Sequence, residues 1–147
     1  MRIHINIGSN QGDCKALIGR AIALLAKEFS PAHLRLSSYV ESEPWGYDSP
    51  NRFLNRGVML DTDVEIYPEE VLRRTQAVER EVGGESPHRN ADGTYCDRPI
   101  DIDIIDIDGL VYQSPTLTLP HPRARLRRFV LIPISELDPT HLLLCGV

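Results

Sequence analysis

Residues 100–105, Ile-Asp-Ile-Asp-Ile-Ile, restrict what this chain can fold into more than any other stretch. Alternation of apolar and charged side chains has a period of two and predicts a β-strand. Side chains two apart on a strand share a face, with Cα atoms roughly 6.5–7 Å apart. Ile100, Ile102 and Ile104 therefore turn toward a core, and Asp101 and Asp103 stand together on the opposite face. Aspartate is uncommon in strands, so two on one face call for a reason. A solvated strand face is one reading. The other is a shared cation: paired carboxylates suit Mg²⁺, which keeps several waters and shares its remaining positions with substrate phosphates.

After Ile105 the pattern changes phase, and in an unbroken strand Asp106 and Asp108 take the face of the isoleucines. Either a bulge sits near residues 104–105 or the strand leaves the core there. Asp108-Gly109 is a turn signal, so Asp106 and Asp108 read as strand-end polar residues without a catalytic role.

The rest of the chain supplies elements to surround this strand. Residues 2–7 alternate and predict a first strand, broken by Gly8-Ser9-Asn10. Asp13 can cap a helix running to Phe29, with Leu17, Ala21, Leu24 and Leu25 near one face. Residues 34–40 and 53–60 predict two further strands, separated by a Pro- and Gly-rich aromatic loop over 43–50. Pro68 opens a second helix whose apolar face is Val71, Leu72, Thr75, Val78 and Val82, and Gly83-Gly84 ends it. A polar loop over 85–97 leads into the aspartate strand. Beyond it come a short strand over 117–119, a helical turn within 123–128, a closing segment from Phe129 to Ile132 and a turn at 135–137. The order β-α-β-β-α-β predicts an α+β ferredoxin-like sandwich, an antiparallel sheet covered by helices, in one domain over residues 1–147.

Composition narrows the function. A net charge of −5 disfavours a general nucleic-acid binder. No apolar run approaches a membrane span, and the start of the chain reads as a strand rather than a signal peptide. The cysteines, Cys14, Cys96 and Cys145, are scattered and odd in number, which predicts neither a disulfide framework nor a zinc site and fits a reducing cytoplasm.

Two more groupings bear on chemistry. Arg123, Arg125, Arg127 and Arg128 cluster beside His121, with Arg74, Arg89 and Arg98 elsewhere. Guanidinium forks match phosphate oxygens, although four arginines can equally be a solvated helical surface. Combined with an aspartate pair, they favour chemistry on a phosphate chain. Trp45, Tyr47, Phe53 and Phe129 are candidates for a slot that takes a flat ring, and the Asn55 amide offers a donor and an acceptor to a heterocycle edge. Core packing accounts for each aromatic singly, least well for Trp45 between Pro44 and Gly46. No glycine-rich phosphate cradle is present. Gly8-Ser9-Asn10 reads as a structural turn, and His4, His33 and His141 read as structural.

Taken in order, Ile7-Gly8-Ser9-Asn10, Glu43-Pro44-Trp45-Gly46, Phe53-Leu54-Asn55, Gln76 with Glu79, residues 97–104 and Leu119-Pro120-His121-Pro122 through Arg127 and Phe129 resemble the 6-hydroxymethyl-7,8-dihydropterin pyrophosphokinases of folate biosynthesis. The resemblance spans nearly the whole chain. It implies that ATP gives its terminal pyrophosphoryl group to the hydroxymethyl oxygen of a reduced pterin, with release of AMP. It implies two Mg²⁺ ions on Asp101 and Asp103, Asn55 at the pterin edge, and a ring sandwiched by Phe129 with Phe53 or Trp45, beside Pro44. Gln76, Arg98, His121 and Arg127 fall on the ATP side, with Arg98 and Arg89 stabilising transferred charge and Glu79 orienting neighbouring cations. Where the family commonly has an arginine after the second helix this chain has Gly84, and Arg89 is the candidate to replace it; Tyr95 stands for a frequent tryptophan. The loops over 44–51 and 83–97 are expected to be mobile lids. The expected partners are ATP and the reduced pterin, with no nucleic acid or membrane, acting on a monomer. Two alternatives stay open: a catalytically weak pterin- or nucleotide-binding relative, and a metal-dependent nuclease, which the acidic charge and aromatic slot disfavour.

Overall fold

A computed structural model describes residues 1–84, 91–92 and 95–145. Its first half runs β1 (Arg2–Ser9), α1 (Cys14–Phe29), β2 (His33–Leu36), β3 (Val40–Ser42), β4 (Phe53–Asp61) and α2 (Pro68–Gly83). The second half runs β5 (Asp101–Ile107), a small hairpin of β6 (Tyr112–Gln113) and β7 (Thr118–Leu119), a 3₁₀ turn at Ala124–Leu126, α3 (Arg128–Leu137) and a second 3₁₀ turn at Leu142–Leu144.

The main sheet is antiparallel in the order β2-β4-β1-β5, with β3 also paired to β4. The expected strand over 34–40 is thus two pieces, β2 and β3, which together edge β4. They are interrupted where Ser37 Oγ accepts a hydrogen bond from Gly57 N at 2.8 Å. The ferredoxin-like arrangement is present, with α1 and α2 on one face of the sheet and α3 on the other.

The alternating strands explain the layers. Ile3, Ile5 and Ile7 of β1, Val58 and Leu60 of β4, and Ile102, Ile104 and Ile107 of β5 meet Ile18, Ala21 and Leu25 of α1 and Val71, Val78 and Val82 of α2 in the larger core. Asp13 caps α1 by accepting from Ala16 N at 3.2 Å. Pro68 begins α2, and Gly84 closes it with φ of +69°, a left-handed conformation that glycine adopts without strain. The first strand runs on through Gly8 to Ser9, so the expected break falls two residues later.

The second face is where sequence expectation and structure part. The closing segment over 129–132 and the turn at 135–137 are one helix, α3, with Pro133 inside it. Proline removes one helical hydrogen bond and leaves the carbonyl four residues earlier without its donor. That carbonyl belongs to Phe129, and Asn6 Nδ2 of β1 donates to it at 2.9 Å. Gly57 admits the same proline, since a Cβ there would lie 2.5 Å from Pro133 Cβ. Two distant residues therefore make a helix where local preference argues against one.

The phase change in β5 is a bulge. Ile5 pairs with Ile104 and His4 with Asp106, which leaves Ile105 extra. Ile105 and Asp106 both turn to the α3 face, Ile105 into the smaller core with Ala124, Val130, Ile134 and Leu143. Asp106 is near the strand's end, as expected, and is buried, 3% exposed. It accepts from Gly109 N at 3.0 Å and pairs with His141 Nε2 at 2.9 Å. Leu143 N donates to His141 Nδ1, which puts the ring proton on Nε2 and makes this a hydrogen-bonded pair rather than a lone pair offered to a metal. His4 makes the equivalent contact with Asp138 at 3.0 Å and packs edge-on to His141. His4 and His141 are structural, as expected, but through partners the sequence spacing did not reveal.

Candidate active site

The α3 face of the sheet is only half covered, and the uncovered half carries the candidate residues. Asp101 and Asp103 lie there in register with Gly8 and Asn6 of β1. Both side chains are partly exposed, 20% and 29%, and each faces a cation: Arg98 Nη1 lies 3.1 Å from Asp101, and Arg127 Nη1 lies 3.7 Å from Asp103. Glu79 of α2 accepts from Ile102 N at 2.8 Å, so it holds the backbone between the two aspartates.

Two depressions meet at this pair. One is a narrow slot lined by Asn6, Gly8, Trp45, Phe53, Asn55 and Phe129, among others. The second is an open polar trough of about 1060 Å³ reaching Leu72, Gln76, Glu79, His121 and Arg123. Tyr95, Arg98, Asp101, Asp103 and Arg127 line both, so the carboxylates stand at the junction.

The slot has an aromatic and amide lining. Phe53 comes from the sheet and Phe129 from the first turn of α3. Gly8 keeps the sheet surface low between them: a Cβ there would sit 3.1 Å from Asn55 Oδ1 and 3.4 Å from the Phe53 ring. Asn55 is buried, and its amide nitrogen donates to Val40 O at 3.0 Å and Ser42 Oγ at 2.8 Å. The donor is thus engaged by β3, and what Asn55 has left for a ligand is its acceptor oxygen. The Trp45 ring has the Arg127 and Arg123 guanidiniums 4.5 Å and 5.2 Å from its centroid, and Arg127 also faces Phe129 at 5.7 Å. Pro44 does not line the slot; Ser42, Glu43, Trp45 and Tyr47 do.

In the trough, His121 is held neutral. Burial pushes its pKa down, Arg127 and Arg123 add to the effect against Asp101, and the result is about 4. Arg123 N donates to His121 Nδ1 at 3.2 Å, so its proton sits on Nε2 and the ring is a hydrogen-bond donor rather than a cation. Arg127 Nε is buried without a hydrogen-bond partner among the described residues. A buried unpaired N–H is costly, and an anionic ligand is what such a group suits.

The arginine cluster divides. Arg123 and Arg127 reach the site, whereas Arg125 bonds the carbonyls of Leu142 and Cys145, and Arg128 lines neither depression. Arg74 pairs with Glu70. Arg89 lies outside the described residues, as does most of the loop that carries it. Sequence reasoning missed Asn6, Gly8, Ser42 and Tyr95 as lining residues; the one signal was Asn6, a polar residue on the face of β1 away from its isoleucines.

The residue types fit Mg²⁺. The pair offers hard carboxylate oxygens, is partly open to water and is ringed by phosphate-matching cations.

Comparison with known proteins agrees with this geometry. Residues 4–139 match the family model described as 7,8-dihydro-6-hydroxymethylpterin-pyrophosphokinase. A 2-amino-4-hydroxy-6-hydroxymethyldihydropteridine pyrophosphokinase of Porphyromonas gingivalis is 42% identical over 140 residues, 93% of this chain and 90% of the relative. Proteins of the same name from Bacillus subtilis and Aquifex aeolicus are 34% and 32% identical, covering 91% and 93% of this chain and 76% and 80% of their own lengths. The chain belongs to the 7,8-dihydro-6-hydroxymethylpterin-pyrophosphokinase family.

Proposed function

We propose that this chain transfers pyrophosphate from ATP to 6-hydroxymethyl-7,8-dihydropterin, with the two substrates meeting over Asp101 and Asp103. The observation that carries the reading is the shared wall: an aromatic slot and a cationic trough meet at one carboxylate pair. In this reading the pterin lies between Phe53 and Phe129, since Trp45 is already engaged by two guanidiniums. Asn55 Oδ1 accepts from the ring edge. ATP lies along the trough past Gln76, with its phosphates on Arg98, Arg127 and the Nε2–H of His121.

The substrate hydroxymethyl oxygen attacks the β-phosphorus of ATP, the bond from that phosphorus to the α-phosphate oxygen breaks, and AMP leaves. The chain's contribution is to align the two substrates and to set cations around the phosphate chain. Asp101 and Asp103 would hold two Mg²⁺ ions, which supply neutralisation of phosphate charge when bound. With Asp101 and Asp103 engaged in this way, Arg98 and Arg127 would be available to phosphate oxygens. Arg89 is a further cation for this step.

The same reading has the chain acting as a monomer of one domain in the cytoplasm, on small molecules rather than nucleic acid or membrane. No helix among the described residues is long and apolar enough to cross a membrane. Incubation with ATP, Mg²⁺ and the reduced pterin, scored for nucleotide products, tests the proposal. AMP formed only when the pterin is present supports it; ADP, or no product, overturns it.

A further inference from the structure

Asp97 precedes Arg98 and lines neither depression, yet it is one of the most heavily bonded side chains of the chain. Its Oδ1 accepts from Asn10 Nδ2 at 2.8 Å and from the Tyr47 hydroxyl at 2.9 Å. Its Oδ2 accepts from Ser49 Oγ at 3.0 Å and from Asn51 Nδ2 at 2.7 Å. Three of these four donors belong to the segment over 44–51, which carries Trp45. Asn10 closes the arrangement from the other side. It donates to the Asn51 carbonyl at 3.1 Å, and its own Oδ1 accepts from Arg98 N at 2.9 Å. Burial alone would raise the pKa of Asp97, but the four hydrogen bonds outweigh it and hold the carboxyl below its ordinary value. Burial and Asp97 together push the Tyr47 hydroxyl up to about 12. The segment expected to be a mobile lid is therefore tied to Asp97 through its own side chains.

We propose that Asp97 is a positioning residue that fixes the 44–51 segment, and through it the Trp45 ring, so that the wall of the slot is in place before the pterin arrives. The inference rests on the reading that the pterin occupies this slot. A wall ordered in advance removes an ordering cost from binding. Without Asp97, Tyr47, Ser49 and Asn51 lose a common acceptor, and the ties left among the described residues are the Asn10 side chain and the two guanidiniums over Trp45.

Trp45 is the only tryptophan, so its emission reports on this segment directly. In Asp97→Ala, measured without ligand, acrylamide quenching of Trp45 is expected to rise about twofold or more, with a fall in its anisotropy, as the ordering cost returns to the segment. Calorimetric titration should show affinity for the reduced pterin weakened about tenfold, roughly 1.4 kcal/mol, and affinity for ATP changed less than about twofold. Asp97→Asn, which keeps one acceptor oxygen, should fall between, and Ser49→Ala should move the same readouts less; these two carry the test if the alanine variant does not fold. Unchanged quenching overturns the proposal whatever the activity. Raised quenching with unchanged pterin affinity also overturns it, since the segment then does not form the slot. Failure of the underlying reading shows separately, as a wild-type chain that does not bind the reduced pterin at all.

Discussion

The strand β5 carries two carboxylates on either side of one bulge that face the same way and live in opposite circumstances. Asp103 is partly exposed, and a guanidinium 3.7 Å away is its facing cation. Asp106, three residues on, is buried and takes hydrogen bonds from a backbone N–H and a histidine ring. Asp101 resembles Asp103, and Asp138, which pairs with His4, resembles Asp106. The upstream pair is held by long side chains that can swing away. Asp106 is held by a backbone N–H and a packed histidine ring that cannot. A carboxylate meant to change partners during a reaction suits the first kind of setting, and one meant to anchor a chain suits the second.

The largest effect that could break this contrast is on turnover. Asp101→Ala and Asp103→Ala should each lower kcat by about a thousandfold or more, on the order of 4 kcal/mol, while the protein stays folded. Near-normal rates for either variant at saturating Mg²⁺ would remove the upstream pair from the chemistry. Asp106→Ala should do the reverse. It orphans the buried His141 Nε2–H, a loss of about 1–3 kcal/mol seen as a drop of several degrees in thermal midpoint. Its kcat per folded molecule should stay within about threefold of wild type, because the bulge and not the site absorbs the change. A thermal midpoint equal to wild type would show that the downstream pair anchors nothing.

Asn55 tests whether one side chain can belong to both kinds of setting, since its nitrogen is fixed by β3 and its oxygen is turned to the slot. Asn55→Ala is expected to weaken pterin binding by about 1–3 kcal/mol and ATP binding far less. Equal losses for both ligands, read by calorimetry, would make it purely structural.

The smallest effect concerns pH. Burial lowers the pKa of both His4 and His121 below that of a free histidine. The unfolded chain takes up these protons as pH falls below about 6.5, while the folded chain does not, so stability must fall in acid. The loss begins near that pH and for His121 continues toward its folded value of about 4. One pH unit below the unfolded value the loss is at most about 1.4 kcal/mol per ring. Asp106, whose pKa is also lowered, contributes with the carboxylate pattern and loses its share only below its ordinary value. A flat melting temperature between pH 7.5 and 5.5 would contradict the burial of both rings.

Much of this was legible in the chain because it depends on period and spacing. The Ile/Asp alternation placed Asp101 and Asp103 correctly, and the caps at Asp13 and Pro68 placed α1 and α2. What was hidden depends on contacts between distant residues. No local pattern reports that Asn6 will satisfy a carbonyl orphaned by Pro133, so the sequence of α3 reads only as a closing segment and a turn. The bulge was one of two alternatives, but its outcome for Asp106 required a histidine 35 residues away. The ties from Tyr47, Ser49 and Asn51 to Asp97 likewise cross 46–50 positions. The same limit explains why the arginine cluster read as a unit: proximity in sequence did not say that Arg125 would turn to the last 3₁₀ turn and Arg127 to the site.

The hydrogen bond from Asn6 to the Phe129 carbonyl has one more consequence. Asn6 pairs in register with Asp103, so the Phe129 ring and the Asp103 carboxylate are both measured from a single residue in an inner strand of the sheet. In an instrument, two parts referenced to one datum keep their spacing even when the frame around them drifts. Small rocking of α3 against the sheet should therefore turn Phe129 about that point rather than carry it away from Asp103, and the gap in which a ring must meet a phosphate should vary less than the helix itself.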